Sequence, residues 1–262
     1  MWNGCVKIDR VRVPISIAAV LKRLTSHWGA VVVLLIGGLI AVTRTSAAAE
    51  PSPGLGVAIV YDTSGSMNDR VKDSAGNSAP KFQIANRALL AAVDRLEAFH
   101  KANPDRPLKT NLVIFFNNGG MEAVPFGDFD AAKLRSWIRA FNKPNGSTPL
   151  GTAIRTAAEP LLKSNLQHKH ILVVTDGMNT SGPDPAAILP ALRKEAASGG
   201  GALGMHFVAF DVAAKVFDPV KKLDATVVPA ADEKQLQTQL SFIMERKILL
   251  EDEEPAPAPK KP

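Results

Sequence analysis

The chain has 262 residues, enough for one substantial domain with appendages, and its 46% hydrophobic and 21% charged content excludes a wholly disordered protein. Of the formal net charge of +6, residues 1–49 carry +5, so the rest is nearly neutral and a nucleic-acid-binding surface is not expected. The single cysteine, Cys5, lies in the same N-terminal part, which excludes a disulfide framework and a cysteine-based metal or catalytic site in the remainder.

The N-terminal part of the chain, residues 1–49, is predicted to direct export. An apolar, uncharged run spans residues 28–42, with Lys22 and Arg23 before it and small residues after it up to Glu50. A membrane-spanning helix needs about 20 apolar residues and a signal-peptide core about 7–15. The run therefore fits a signal peptide cleaved before Glu50, and it also fits an uncleaved anchor in the inner membrane. Either arrangement places the rest of the chain in the periplasm or cell envelope.

After a short linker over residues 50–54, strand-like and helix-like segments alternate from residue 55 to residue 250. Short apolar runs predict strands over residues 55–61, 111–116, 122–126, 171–175, 205–210 and 226–228. Apolar residues at helical spacing predict helices over residues 81–100, 130–141, 149–162, 185–197 and 232–249. This alternation predicts an α/β domain with a largely parallel sheet covered on both faces. The composition of residues 251–262 is typical of a disordered tail.

Three polar loops lie beside these elements. Asp62, Ser64 and Ser66 follow the first strand, Thr148 opens a helix, and Asp176 follows the strand at 171–175. Each short motif alone also suits an ordinary turn or helix cap. Loops at the carboxyl ends of parallel strands gather in one crevice, however, where these residues would offer two carboxylates and three hydroxyls. All-oxygen ligands with few carboxylates suit Mg²⁺ better than a calcium cage, and they leave room for a carboxylate from a partner.

The Asp62-x-Ser64-x-Ser66 sequence, followed by Thr148 and by Asp176-Gly177, resembles the metal-ion-dependent adhesion site of the von Willebrand factor type A domain. The resemblance extends over essentially the whole folded body, residues 55–250. It implies a doubly wound, mostly parallel Rossmann-like sheet with one short antiparallel strand and helices on both faces. It also implies that Mg²⁺, or Mn²⁺ or Ca²⁺, is coordinated by the two serines and the threonine, and that both aspartates act largely through bound water.

The function expected from these features is that of an exported, non-enzymatic module that binds a protein partner through a divalent metal. An Asp or Glu of the partner would complete the coordination, and the membrane would be contacted only through residues 28–42 of an uncleaved leader. Alternatives are a membrane-anchored component of an ATPase-linked assembly, a metal site that only stabilises the fold, and a metal-dependent hydrolase. Against the hydrolase, the chain lacks a Gly-x-Ser-x-Gly elbow and a histidine base within the motifs.

Other polar residues are expected to have ordinary roles. His168 and His170 precede a predicted strand and are expected at the surface, whereas His206 lies within an apolar strand pattern and is expected in the core. Asp69 and Asp73 lie in a Gly-, Ser- and Asn-rich segment, residues 68–80, which is longer than is usual in the family and is expected to border the metal site.

Overall fold

A computed structural model describes residues 52–250 of the chain. The export segment 1–49 and the tail 251–262 predicted from the sequence lie outside the described residues. None of the helices within residues 52–250 combines the length and apolar character that a membrane span requires. The first strand begins at Ser52, so residues 52–54 of the expected linker belong to the sheet.

The strands in chain order are β1 (Ser52–Tyr61), β2 (Arg70–Lys72), β3 (Ser78–Pro80), β4 (Leu108–Phe116), β5 (Gly119–Asp128), β6 (Leu166–Thr175), β7 (Ala202–Phe210) and β8 (Thr226–Ala230). The helices are α1 (Lys81–Ala102), α2 (Ala131–Ala140), α3 (Leu150–Lys163), α4 (Pro185–Ser198), α5 (Asp218–Lys221) and α6 (Glu233–Ile243). Short 3₁₀ turns span Gly65–Asn68 and Ala214–Phe217, and a π-helical turn, Met244–Ile248, follows α6.

The main sheet confirms the predicted fold class. Its strand order is β5-β4-β1-β6-β7-β8; β5 is antiparallel to β4, and every other neighbouring pair is parallel. The chain leaves β1 through α1 towards β4 on one side, and leaves β6 through α4 towards β7 on the other. The crevice between the carboxyl ends of β1 and β6 is therefore the topological switch point, where open α/β sheets bind ligands.

Two apolar layers fix this arrangement. Successive side chains of a strand point to opposite faces, so Ile59 joins the core beneath α1, α2 and α6 while Val60 joins the core beneath α3 and α4. The central strands β1 and β6 are buried along most of their length, as expected of parallel strands covered on both faces. The site at their ends therefore rests on the most enclosed part of the sheet.

Segment 68–80 is ordered as a small hairpin rather than an open loop. Strands β2 and β3 pair antiparallel, and the Asp73 carboxylate accepts hydrogen bonds from the backbone N–H groups of Ala75 and Asn77 at 3.0 and 2.7 Å. Gly76 completes the turn with a φ of +84°, a conformation that favours glycine. The hairpin leads directly into α1 and so determines where that helix begins.

Candidate metal centre

Backbone hydrogen bonds join the three polar loops at the switch point. The Asp62 N–H donates to the Val174 carbonyl at 3.0 Å, which holds the end of β1 against β6. The Gly65 N–H donates to the Gly146 carbonyl at 3.1 Å, and this bond joins the first motif to the loop that carries Thr148. The sequence-predicted segments thus meet at one edge of the sheet, as the parallel topology requires.

Asp62 is fully buried and forms the floor of the site. Its Oδ1 accepts a hydrogen bond from the Ser64 N–H at 2.8 Å, and its Oδ2 accepts one from the Thr175 hydroxyl at 2.6 Å. Burial, together with the negative charge of Asp176, raises the pKa of Asp62 to about 6. A cation placed between the two carboxylates would relieve both effects.

Ser64, Ser66 and Asp176 form a continuous chain of oxygen atoms. The hydroxyl oxygens of the two serines are 3.0 Å apart, and the Ser66 hydroxyl donates to Oδ1 of Asp176 at 2.8 Å. Ser64 occupies the N-cap of the 3₁₀ turn, yet its hydroxyl makes no capping hydrogen bond, so turn chemistry does not account for it. Two ligands at right angles on Mg²⁺, each at about 2.1 Å, are about 3.0 Å apart. The same oxygens, spaced here as hydrogen-bond partners, are thus also close enough together to share a small divalent cation.

Thr148 lies at the other side of the crevice, beside Gly177. A Cβ atom added to Gly177 would lie 3.5 Å from the Thr148 hydroxyl oxygen. The Thr148 N–H donates to the Thr180 hydroxyl at 2.8 Å, and the Thr148 carbonyl accepts from the Thr180 N–H at 2.9 Å. Helix α3 begins at Leu150, with Pro149 at the N-cap, so Thr148 precedes the cap position and the helix-cap alternative is wrong.

Two residues that the sequence did not indicate adjoin this cluster. The Lys81 ammonium lies 3.0 Å from Oδ2 of Asp176, 2.9 Å from Oδ2 of Asp211 and 3.9 Å from Oδ2 of Asp69. Burial lowers the pKa of Lys81, but the hydrogen bonds to Asp211 and Asp176 outweigh it and the pKa is raised. The available signal was that Lys81 lies on the apolar stripe of α1, in line with buried Ala85 and Ala88.

The histidines of β6 and β7 lie away from this cluster. His170 and His206 are both buried in neighbouring strands, with Nδ1 of His170 3.1 Å from Nε2 of His206. The expectation of a surface His170 is wrong because β6 begins at Leu166 and draws that residue into the sheet. Within residues 52–250, no group of three or more His, Cys, Asp or Glu side chains is arranged to hold a metal. A metal at the switch point would therefore depend on the serine and threonine hydroxyls.

Comparisons with known proteins agree with the fold. The family model of the von Willebrand factor type A domain matches residues 57–179. No curated protein matches the sequence. A mutant of the PilB minor pilin from Streptococcus sanguinis is similar in structure, with a TM-score of 0.59 and 17% identity over 78% of this chain and 64% of that one.

Two further solved structures share the architecture. The vWF domain of the type V pili tip protein Mfa5 from Porphyromonas gingivalis has a TM-score of 0.53 and 14% identity over 73% of this chain and 94% of that one. Proximal thread matrix protein 1 from the mussel byssus, solved with a zinc-occupied MIDAS motif, has a TM-score of 0.53 and 16% identity over 75% of this chain and 48% of that one. This chain thus spans less than two thirds of the pilin and about half of the mussel protein. Residues 57–179 thus match the von Willebrand factor type A family, and the described part of the chain shares the fold of these solved structures.

Proposed function

We propose that this chain is an exported, non-enzymatic module that binds a protein partner through a divalent metal. The metal would be held by the predicted ligands Asp62, Ser64, Ser66, Thr148 and Asp176, an all-oxygen set with few carboxylates that suits Mg²⁺ better than a calcium cage. The observation that carries the proposal is the chain of oxygens from Ser64 through Ser66 to Asp176 at the topological switch point. When bound, the metal would supply a Lewis-acidic position for a carboxylate of the partner.

The protein's own residues give this site an open and a closed side. Asp62 and Ser64 are buried, whereas Ser66 is exposed, so a partner approaches over Ser66. Asp62 holds the backbone of Ser64 in place, and Ser66 holds one oxygen of Asp176. Because Lys81 already neutralises part of the charge of Asp176, the cluster offers a dication less negative charge than its two carboxylates imply. This deficit favours an Asp or Glu side chain from outside.

Exposed apolar side chains beside the site support a protein partner. Met178 lies two residues after Asp176 and is 60% exposed, and Phe116 at the end of β4 is 52% exposed. Met178 also lines a pocket of about 160 Å³ together with Leu150, which lies two residues after Thr148. Residues two apart are at most about 7 Å apart along the chain, so this apolar surface adjoins the predicted ligands. A partner that presents a carboxylate could therefore bury apolar area at the same time.

The proteins with similar structures support export. PilB is described as a minor pilin and Mfa5 as a pilus tip protein. The apolar run 28–42 with basic residues before it is the feature of this chain that agrees with such a location. The periplasm or cell envelope is thus the proposed compartment, reached by a cleaved leader or with the inner-membrane anchor retained.

The proposal is tested by replacing Asp62, the buried carboxylate of the site. Asp62→Ala should abolish Mg²⁺ binding in calorimetric titration and leave the circular dichroism spectrum unchanged, because Asp62 lies just beyond β1. The matched control is Asp128→Ala, which removes an exposed carboxylate paired with Lys109 at the opposite edge of the sheet and should bind Mg²⁺ as the wild type does.

Partner capture from envelope extract should follow the same pattern. Proteins retained by wild type and by Asp128→Ala in Mg²⁺ should be lost in chelator and with Asp62→Ala. Equal capture under all these conditions would refute metal-bridged binding. Intact Mg²⁺ binding without any metal-dependent partner would instead favour a metal that only stabilises the fold.

A further inference from the structure

The buried side chain of Lys81 contacts the candidate metal centre through Asp176. Its ammonium is 3.0 Å from Oδ2 of Asp176, while Oδ1 of the same carboxylate accepts the hydrogen bond from Ser66. The side chains of Lys81 and Asp176 are 6% and 0% exposed. One buried carboxylate therefore lies between an internal cation and the position proposed for the metal.

We infer that Lys81 is a resident cation that competes with the divalent metal for Asp176. It holds the site together before the metal binds, and it weakens metal binding. The inference rests on the metal site of the proposed function and adds a residue that sets its affinity. Lys81 is not itself a metal ligand, because an ammonium has no lone pair to donate.

The charge balance of the buried pair Lys81–Asp176 favours this competition. A buried carboxylate is costly unless it is paired, and Lys81 provides that pairing for Asp176. A divalent cation at the Ser66 side of the carboxylate would supply the same compensation a second time. Two cations sharing one carboxylate repel each other, and the repulsion is screened less at a buried site than at the surface. Removing the lysine charge should therefore tighten metal binding.

Contacts with neighbouring residues hold Lys81 close to Asp176. Its backbone N–H donates to the Asp69 carbonyl at 2.8 Å where the hairpin joins α1. Its other close partner is Asp211, whose Oδ2 is 2.9 Å away. Asp211 has a φ of +52° and donates its N–H to the Ala230 carbonyl at 2.7 Å, so the backbone that carries this carboxylate is fixed by β8. The ammonium thus stays close to Asp176 instead of withdrawing into solvent.

The response of stability to metal distinguishes this role of Lys81 from a purely structural one. A lysine that only stabilised the fold would, when replaced, lower the melting temperature equally with and without metal. A resident cation stabilises the metal-free site more than the metal-bound site, so its removal destabilises mainly the metal-free protein. By linkage, a variant with a larger stability gain on adding metal is one that binds the metal more tightly.

The experiment compares Lys81→Met and Lys81→Gln with wild type in the full chain. Methionine removes the charge at similar length, and glutamine removes the charge but keeps a donor for Asp176, which secures a folded variant if methionine fails. Lys81→Arg retains the charge, and Lys109→Met removes a lysine from the opposite edge of the sheet. Mg²⁺ is titrated calorimetrically at constant ionic strength, and thermal unfolding is followed in chelator and in saturating Mg²⁺.

The two neutral variants should bind Mg²⁺ about tenfold more tightly than wild type. They should melt at a lower temperature in chelator, and the difference should shrink in Mg²⁺. Lys81→Arg and Lys109→Met should retain the wild-type affinity.

Neutral variants that bind Mg²⁺ as weakly as wild type, or more weakly, would overturn the inference and leave the proposed metal site standing. No Mg²⁺ binding by wild type or by either neutral variant would overturn both. Binding detected only in the neutral variants would support the inference.

Discussion

At the scale of single residues, burial determines the protonation state of His170 and His206. Their rings stack at 5.4 Å between β6 and β7. Burial lowers the pKa of His170, and repulsion from His206 and His168 lowers it further. Burial, with repulsion from Lys247 and Arg193, lowers the pKa of His206 to about 4. Both side chains are therefore neutral inside the folded domain at neutral pH.

This pair makes stability depend on pH. Unfolded histidines bind protons near pH 6.5, whereas the pKa of folded His206 is about 4 and burial holds the pKa of folded His170 well below its usual value. The unfolded state therefore holds more protons below about pH 6.5. Stability is complete above about pH 6.5 and falls as the pH is lowered, by up to about 1.4 kcal/mol per pH unit for each histidine.

Urea unfolding of wild type and His206→Leu at about pH 7 and about pH 5 should show a smaller loss for the variant. The raised pKa of Asp62 contributes with the opposite sign in both proteins and cancels in the comparison. An equal loss in the two proteins would contradict this assignment.

The same scale explains which site residues can be predicted from sequence. Asp62, Ser64 and Ser66 are recognisable because their spacing is local and they follow a clear apolar strand. Lys81 is different, because its partner Asp176 is 95 positions away and no local pattern pairs them. Asp211 likewise follows β7 as a single acidic residue. Contacts of this kind depend on the assembled sheet, so the sequence indicates the proposed metal ligands but not the lysine that pairs with Asp176.

At the scale of elements, one buried side chain from a distant helix contacts the hairpin β2–β3. Oε2 of Glu233, in the first turn of α6, accepts a hydrogen bond from the Ser74 N–H at 2.8 Å. The same carboxylate pairs with Arg87 of α1 at 2.6 and 3.0 Å, and its side chain is 2% exposed. The hairpin escaped prediction because its strands have three residues each, too few to establish an alternating pattern.

Glu233→Ala should release the hairpin while the main sheet persists. Loss of these charged hydrogen bonds should lower the free energy of unfolding by about 1–3 kcal/mol, and amide exchange at Ser74 and along β2 and β3 should accelerate. Glu245→Ala is the control, because it removes an exposed partner of Arg95 and should cost less than about 1 kcal/mol. Unchanged exchange in the hairpin would show that other contacts hold it.

At the scale of the whole molecule, the alternating pattern predicted the α/β class because buried parallel strands are continuous apolar runs that sequence reveals well. The ends of elements were harder to predict. Strand β5 extends over Gly119–Asp128 although only residues 122–126 look strand-like, since pairing with β4 recruits the flanking glycines. The 3₁₀ turn at Ala214–Phe217 and helix α5 are too short to show a period.

The proposed export signal in residues 1–49 leads to a prediction about the mature protein. Small residues at 47–49 suit cleavage by a signal peptidase, so the exported chain should begin at Glu50, two residues before β1. Intact-mass spectrometry of protein recovered from the envelope fraction gives the N-terminus directly. A chain that retains residues 28–42 and stays with the membrane fraction would establish the uncleaved anchor instead.

The central position of β1 has a mechanical consequence. This ten-residue strand begins at Ser52, where the chain enters the domain, and ends at Tyr61, directly before Asp62. A pull between the N-terminal end of the domain and a partner held at the metal centre runs lengthwise along β1. Hydrogen bonds to β4 and β6 flank the strand on both sides and would be loaded in shear, all together, rather than opened one after another. If the proposed metal centre holds a partner, β1 would transmit tension between Ser52 and that partner.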